Sequence, residues 1–233
     1  MRQVILDTET TGLYVDQGHR IIEIGCVELV NRKLTGQVYH QYINPEREID
    51  QGAIDIHGIT NDFLQTKPLF RDIAKSFLEF VKGDELIIHN APFDIGFINA
   101  EFQFLKSSYK PITEYCQVID TLALARQIHV GQRNSLDALC KRYSIDNSHR
   151  DLHGALLDSH LLARVYLAMT GGQATLFGES NATEVAVKQT KTIVNKPTIQ
   201  RGNLVVIEAN EEELTEHEKI IQSMQKKGTC LWQ

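Results

Sequence analysis

The chain has 233 residues, 42% apolar and 23% charged, which is ordinary for a soluble globular protein and leaves room for one large domain, or one domain and a tail. A formal charge of -6 excludes capture of nucleic acid by bulk electrostatics, and residues 1–172 carry most of it, net -5 against net -1 for residues 173–233. No window approaches a membrane span and no signal-peptide pattern opens the chain. The four cysteines, Cys26, Cys116, Cys140 and Cys230, stand too far apart for a disulfide framework or a C-x-x-C zinc site, so a cytoplasmic protein with reduced thiols is expected.

In chain order, residues 1–43 read as a meander of three strands, Gln3–Leu6, Ile21–Val30 and Gln37–Ile43, with Asn31-Arg32-Lys33 in the second turn. Phe70, Ile73, Ala74, Phe77, Leu78 and Val81 recur at helical spacing, which predicts a helix over Leu69–Val81 ended by Lys82-Gly83. Leu86–His89 reads as a short buried strand. Pro92 suits a helix first turn, and Ile95, Ile98, Phe102 and Leu105 mark the helix that follows. Tyr115–Ile119 is a fifth strand, Leu122–Ile128 and Leu136–Tyr143 are helical, and Ala155–Met169 is a helix ending before Gly171-Gly172. The fold class expected is α/β, a mixed five-stranded sheet flanked by helices, over residues 1–172. Residues 178–202 have the polar composition of a flexible linker. Residues 203–233 form a small end piece with a strand-like Leu204–Ile207 and a charged helix over Glu211–Lys227, too small to bury its own core and expected to order on a partner.

Chemistry concentrates in a few acids. Asp7 and Glu9 follow the apolar run Val4-Ile5-Leu6, and the two-residue period of a strand puts both carboxylates on one face. Burying them unpaired costs several kcal/mol or more, so a compensating charge is needed, and a divalent cation is the candidate. Asp158 lies on the apolar stripe of the last domain helix, with Leu161, Leu162, Val165 and Met169. His153 precedes it by five positions, about 140° around an ideal helix, so the two share a site only if His153 lies on the preceding loop, which Gly154 permits. Asp94 falls in the first turn after Pro92. Each has an ordinary reading taken alone: an acidic turn for Asp7 and Glu9, a helix N-terminus complemented by Asp94, a loop imidazole for His153.

Together, Asp7-x-Glu9, then Asp94 in His89-Asn90-Ala91-Pro92-Phe93-Asp94, then His153-x-x-x-x-Asp158 resembles the DEDDh exonuclease family. Further stretches are similar to one branch of it, the epsilon, or proofreading, subunits of bacterial DNA polymerase III: Asp7–Gly12, Ile22-Glu23-Ile24-Gly25, His57-Gly58-Ile59, Arg133–Cys140, Leu152–Asp158 and Gln225–Trp232. Pro92, where a small residue is also usual, is a minor variation.

The resemblance implies an RNase H-like fold and stepwise 3'-5' removal of nucleotides as nucleoside monophosphates. Four carboxylates supply about the charge that two divalent cations need, Mg2+ with Mn2+ able to substitute. Asp7 is then the bridging ligand, Glu9 and Asp158 serve the cation that activates water, and Asp94 serves the second, through water. His153 is the candidate general base. Thr10, Thr11, Gly12 and Leu13 would meet the terminal nucleotide through backbone amides and a Leu13 wedge, and His57 and Asn90 would touch the substrate strand, alongside Asp7, Glu9, His153 and Asp158. The substrate is the 3' end of single-stranded or frayed DNA.

Residues 173–177, Gln173-Ala174-Thr175-Leu176-Phe177, are of the Gln-x-x-Leu-Phe type that docks in the pocket of a beta sliding clamp, with Gln173, Leu176 and Phe177 as anchors; five residues alone favour a linker that happens to carry Leu and Phe, and the position just after the domain, with the family resemblance, reverses that. Residues 203–233 would dock on the polymerase, or alpha, subunit, with Leu231 and Trp232 as anchors and the linker keeping the exonuclease at high local concentration. A small third, theta-like subunit stays open. Two other readings compete: a DEDDh exoribonuclease, against which the clamp-type peptide and the end piece argue, and a scaffold joining polymerase to clamp, against which the intact acidic set argues.

Overall fold

The computed structural model describes residues 1–105, 109–150, 152–171 and 210–227. Five strands form one mixed sheet in the order β3-β2-β1-β4-β5: β1 Arg2–Thr10, β2 Ile21–Val30, β3 Lys33–Tyr42, β4 Glu85–Ile88 and β5 Gln117–Asp120. The meander pairs antiparallel, while β1, β4 and β5 run parallel. This is the expected fold class. The run Val4-Ile5-Leu6 is wholly buried because β1 is central and covered on both faces. Val4 and Leu6 pack with α3 (Phe70–Val81) and α4 (Ala91–Phe104). Ile5, between them, packs on the other face with α5 (Thr121–Ile128), α6 (Leu136–Arg142) and α7 (Ala155–Thr170).

Some boundaries move, for physical reasons. β1 extends to Thr10, so Asp7 and Glu9 lie within the strand: pairing with β2 continues through Thr10↔Ile21, whereas pairing with β4 stops at Leu6↔Ile88. β1 therefore overhangs β4, and the overhang carries both carboxylates. β3 starts at Lys33, since Asn31 and Arg32, both at positive φ, make a two-residue hairpin turn on their own. β5 starts at Gln117, because Ile112–Glu114 takes a 3-10 turn that ends on Tyr115.

Two short helices escape the periodicity reading, α1 (Gln51–His57) and α2 (Asn61–Leu64). Seven and four residues are too few to display an apolar stripe. Gly58 ends α1 at φ 71°, a conformation that favours glycine, and a Cβ there would also press on Leu152 Cδ1 at 2.6 Å.

The helix α8 (Glu211–Lys227) has the predicted bounds and opens on a reciprocal cap. Asn210 N–H donates to Glu213 Oε2 at 3.0 Å, and Glu213 N–H donates to Asn210 Oδ1 at 2.9 Å. The strand expected over Leu204–Ile207, the linker 178–202, the clamp-type peptide and Leu231-Trp232 lie outside the described residues. No helix among the described residues is long and apolar enough to cross a membrane.

Candidate active site

Strand alternation sets the first half of the site. Ile5 faces α7, so Asp7 and Glu9, in phase with it, face α7 as well, and Thr8 faces α4. Thr8 Oγ1 donates to Asp94 Oδ1 at 2.7 Å and so fixes the acid in the first turn of α4. Asp94 and Asp158 are each only 3% exposed.

The second half comes from α7, which β2 holds in place. Gly25 lies opposite Asp7 in the β1–β2 register, and a Cβ on it would fall 2.2 Å from Leu156 N and 2.3 Å from the Ala155 carbonyl carbon. Only glycine lets the first turn of α7 approach this closely. Ser159 Oγ donates to Gly25 O at 2.8 Å, and Glu23 Oε2 accepts from Ala155 N–H at 3.2 Å, placing a carboxylate at the helix N-terminus. Asp158 is thereby brought to the strand that carries Asp7 and Glu9.

His153 sits on the loop before Gly154, as the geometry of sharing a site requires, and its N–H donates to Ile56 O of α1 at 3.0 Å. Asp7, Glu9, Asn90, Asp94, His153 and Asp158 all line one cleft of about 680 Å3, together with Asp137 and Arg150. Glu9, His153 and Asp158 each offer a ligand atom, the three atoms lying within 4.8 Å of one another, a group that could hold a metal ion.

Electrostatics point the same way. Burial raises Asp7 well above the ordinary carboxylate range, and the charges of Asp94, Glu9 and Asp158 add to it. Glu9 is pushed up to about 8, by burial first and then by Asp158 and Glu23. Burial also raises Asp94, against the lowering effect of its Thr8 hydrogen bond. Acids that resist ionisation as a group fit a site whose missing partner is cationic. Two arginines, Arg126 and Arg150, line the cleft, and Arg150 is the one on the acids: its Nε and Nη2 donate to the two oxygens of Asp158 at 2.6 and 2.8 Å. The His153 imidazole is lowered, by burial and then by Arg150.

Beside this cleft lies a second, more apolar one of about 510 Å3, lined by Thr10, Gly12, Leu13, Tyr14, Ile56 and His57 among others. Leu13 and Tyr14 project into solvent, 64% and 57% exposed. Thr11 is placed differently. It is fully buried, its amide donates to Arg20 O at 2.9 Å and its hydroxyl bonds His19 Nδ1 at 3.0 Å, so the amide expected to meet a nucleotide there is already engaged and Thr11 holds the loop from beneath. His57 Nδ1 accepts from Ile59 N–H at 3.0 Å, which places the proton of the neutral ring on Nε2. That Nε2 is the buried side-chain polar atom left without a partner among the described residues.

Sequence reading missed four positions that shape the site. Glu23 and Gly25 had a visible signal in Ile22-Glu23-Ile24-Gly25, a charge and a glycine inside an apolar strand, but no role. Thr8 and Arg150 had none, because their partners are 86 and 8 residues away and are found only by folding.

Comparison with known proteins gives the family and the fold. The exonuclease family model matches residues 4–166. The DNA polymerase III subunit epsilon of Salmonella typhimurium is 50% identical over 236 residues, covering 99% of this chain and 97% of that protein, and the subunit of the same name from Escherichia coli is 48% identical with the same coverage. Among solved structures, Exonuclease X in complex with 5' overhanging duplex DNA superposes with a TM-score of 0.58 at 26% identity, covering 72% of this chain and 91% of that one.

Proposed function

We propose, from the fact that this chain belongs to the exonuclease family of DNA polymerase III epsilon subunits, that it is the proofreading 3'-5' exodeoxyribonuclease of a cytoplasmic replicative polymerase, removing mismatched 3'-terminal nucleotides as nucleoside monophosphates. The observation that carries the site chemistry is the convergence of Asp7, Glu9, Asp94 and Asp158 with His153 in one cleft, at the overhang of β1.

Their donor set, four carboxylates of which Asp7, Glu9 and Asp94 resist ionisation, fits hard divalent cations. Two such cations, Mg2+ with Mn2+ able to substitute, would neutralise the attacking and leaving oxygens of an in-line phosphodiester displacement. Asp7 would be shared between them, Glu9 and Asp158 would complete the first position, and Asp94, steadied by Thr8, the second. His153 takes the proton from the attacking water. Burial and then Arg150 lower its affinity for a proton, and Nδ1, which accepts from Arg150 Nη2 at 3.0 Å, is the ring nitrogen without a proton.

The apolar cleft receives the 3'-terminal nucleotide. Leu13 would wedge against the last bases, with Gly12 and Thr10 lining the approach and Thr11 holding the loop, while the unpartnered His57 Nε2–H and, from the acidic cleft, Asn90 would offer hydrogen bonds to the strand. A strand must be single to enter. A mismatched end loses less than the roughly 1.4 kcal/mol of a stacked step when it frays, so selection follows from fraying and not from reading the base.

Residues 1–172 form the exonuclease domain, Gln173, Leu176 and Phe177 dock on the beta clamp, residues 178–202 link, and residues 203–233, with Leu231 and Trp232, dock on the alpha subunit. A theta-like subunit would add to the domain. The test is digestion of 5'-labelled single-stranded DNA, matched duplex, 3'-mismatched duplex and RNA, with Mg2+ and with EDTA. Shortening fastest on single-stranded and mismatched DNA is expected; preference for RNA would replace proofreading with RNA trimming.

A further inference from the structure

We infer that Arg150 is a stand-in counterion, held on Asp158 when the metal is absent, which releases that carboxylate to the incoming cation and stays anchored on Asp137. Loading the centre is then an exchange of one cation for another. The inference rests on the metal-held centre proposed above.

The Arg150 side chain is 7% exposed, and among the described residues its polar contacts are to Asp137, His153 and Asp158. Its Nε and Nη2 occupy both oxygens of Asp158 at 2.6 and 2.8 Å, and Nη2 also donates to His153 Nδ1 at 3.0 Å. One guanidinium thus covers a candidate metal ligand and the candidate base together. A planar fork on a carboxylate is among the stronger pairs a protein makes, and it offsets the cost of packing several acids into one cleft. The lone pairs it occupies are the ones a divalent cation needs, so the fork and the cation compete for Asp158.

Asp137 provides the other end of the exchange. It stands in the first turn of α6, accepts from Arg150 Nη1 at 2.8 Å, and its side chain is 57% exposed. Nη1 can keep this bond while Nε and Nη2 turn away. The movement required is a rotation of one side chain about a fixed anchor, and it uncovers Asp158 and His153 in the same step.

The experiment is calorimetric titration of Mn2+ into the metal-free full-length protein, with thermal unfolding in EDTA, for wild type, Arg150→Gln and Arg150→Lys. Arg150→Lys keeps the charge and loses the fork. Exchange predicts tighter Mn2+ binding in both variants, about tenfold in Arg150→Gln, together with a lower metal-free Tm. A residue with a merely structural role would weaken metal binding when replaced. Unchanged or weaker binding in both variants overturns the inference, as does tightening in Arg150→Gln alone, which would be a through-space charge effect. Should Arg150→Gln fail to fold, Arg150→Lys decides. A wild type that binds no Mn2+ would remove the metal-held centre itself, an outcome distinct from either of these.

Discussion

Thr8 Oγ1 donates to Asp94 Oδ1 at 2.7 Å, a buried bond on the opposite face of β1 from Asp7 and Glu9. One strand thereby places three of the four carboxylates, two by its own alternation and one through a hydroxyl. Thr8→Val keeps the shape and loses the bond, so Asp94 should be less well oriented and less easily ionised. We predict a loss of about 10- to 100-fold in metal affinity or kcat, the usual cost of removing a support behind a ligand, with Thr8→Ser close to wild type. A Thr8→Val enzyme of full activity would show that Asp94 needs no such support.

Gly25 is where the backbone of α7 meets β2. In Gly25→Ala the added methyl would fall 2.2 Å from Leu156 N, and backbone cannot yield as a side-chain tip does. Destabilisation of about 1–3 kcal/mol is expected from the overpacking, and a loss of about 100-fold in kcat from displacement of Asp158 by as little as 1 Å. Urea unfolding and single-turnover excision read the two effects separately.

The acids make metal-free stability pH-dependent. Glu9, raised from 4.5 to about 8, holds a proton in the folded state that the unfolded chain has already lost. Its contribution is therefore present below about pH 4.5 and is lost as pH rises through about 8, with Asp7 and Asp94 acting in the same direction. In EDTA, stability should fall across this window by at most about 1.4 kcal/mol per pH unit for each group. Glu9→Gln should flatten the slope. Saturating Mg2+ should release the protons, so metal affinity should rise with pH toward 8; a stability that climbs with pH in EDTA would contradict the assignment.

Leu13 is exposed and supports no core, so Leu13→Ala should leave Tm within about 1 °C while raising KM for a mismatched 3' end several-fold. His57→Ala should act on the same substrate parameter, because Nε2 has no partner within the described protein. A Leu13→Ala variant that loses kcat with KM unchanged would place the residue away from the nucleotide.

The tail predictions are separable from the catalytic ones. Leu176→Ala with Phe177→Ala should abolish clamp binding, and deletion of residues 203–233 should abolish co-purification with the polymerase subunit, each sparing nuclease activity on free single strands.

Much of this molecule is legible from its residues, and the limits have physical causes. Alternation across Val4–Glu9 was enough to place both acids on one face, and the apolar company of Asp158 marked it as anomalous. The helix α1 was not legible: its seven residues include Gly52 and show no stripe, yet it carries His57 and holds the His153 loop through Ile56. Arg150 was not legible either, since a single arginine between polar neighbours reads as surface until α7 brings Asp158 to it. Local pattern reveals what a strand or helix does to its own side chains, and contacts between elements need the fold.

The metal-held centre depends most directly on Asp7. Single-turnover excision of a mismatched 3' nucleotide by Asp7→Asn, beside wild type with Mg2+ and with EDTA, tests whether the carboxylate cluster is a metal-held catalytic centre. A rate lower by a factor of about 1000 or more is expected in the variant and in EDTA, with the fold intact by circular dichroism. Excision by Asp7→Asn within a few-fold of wild type, or undiminished in EDTA, would contradict it.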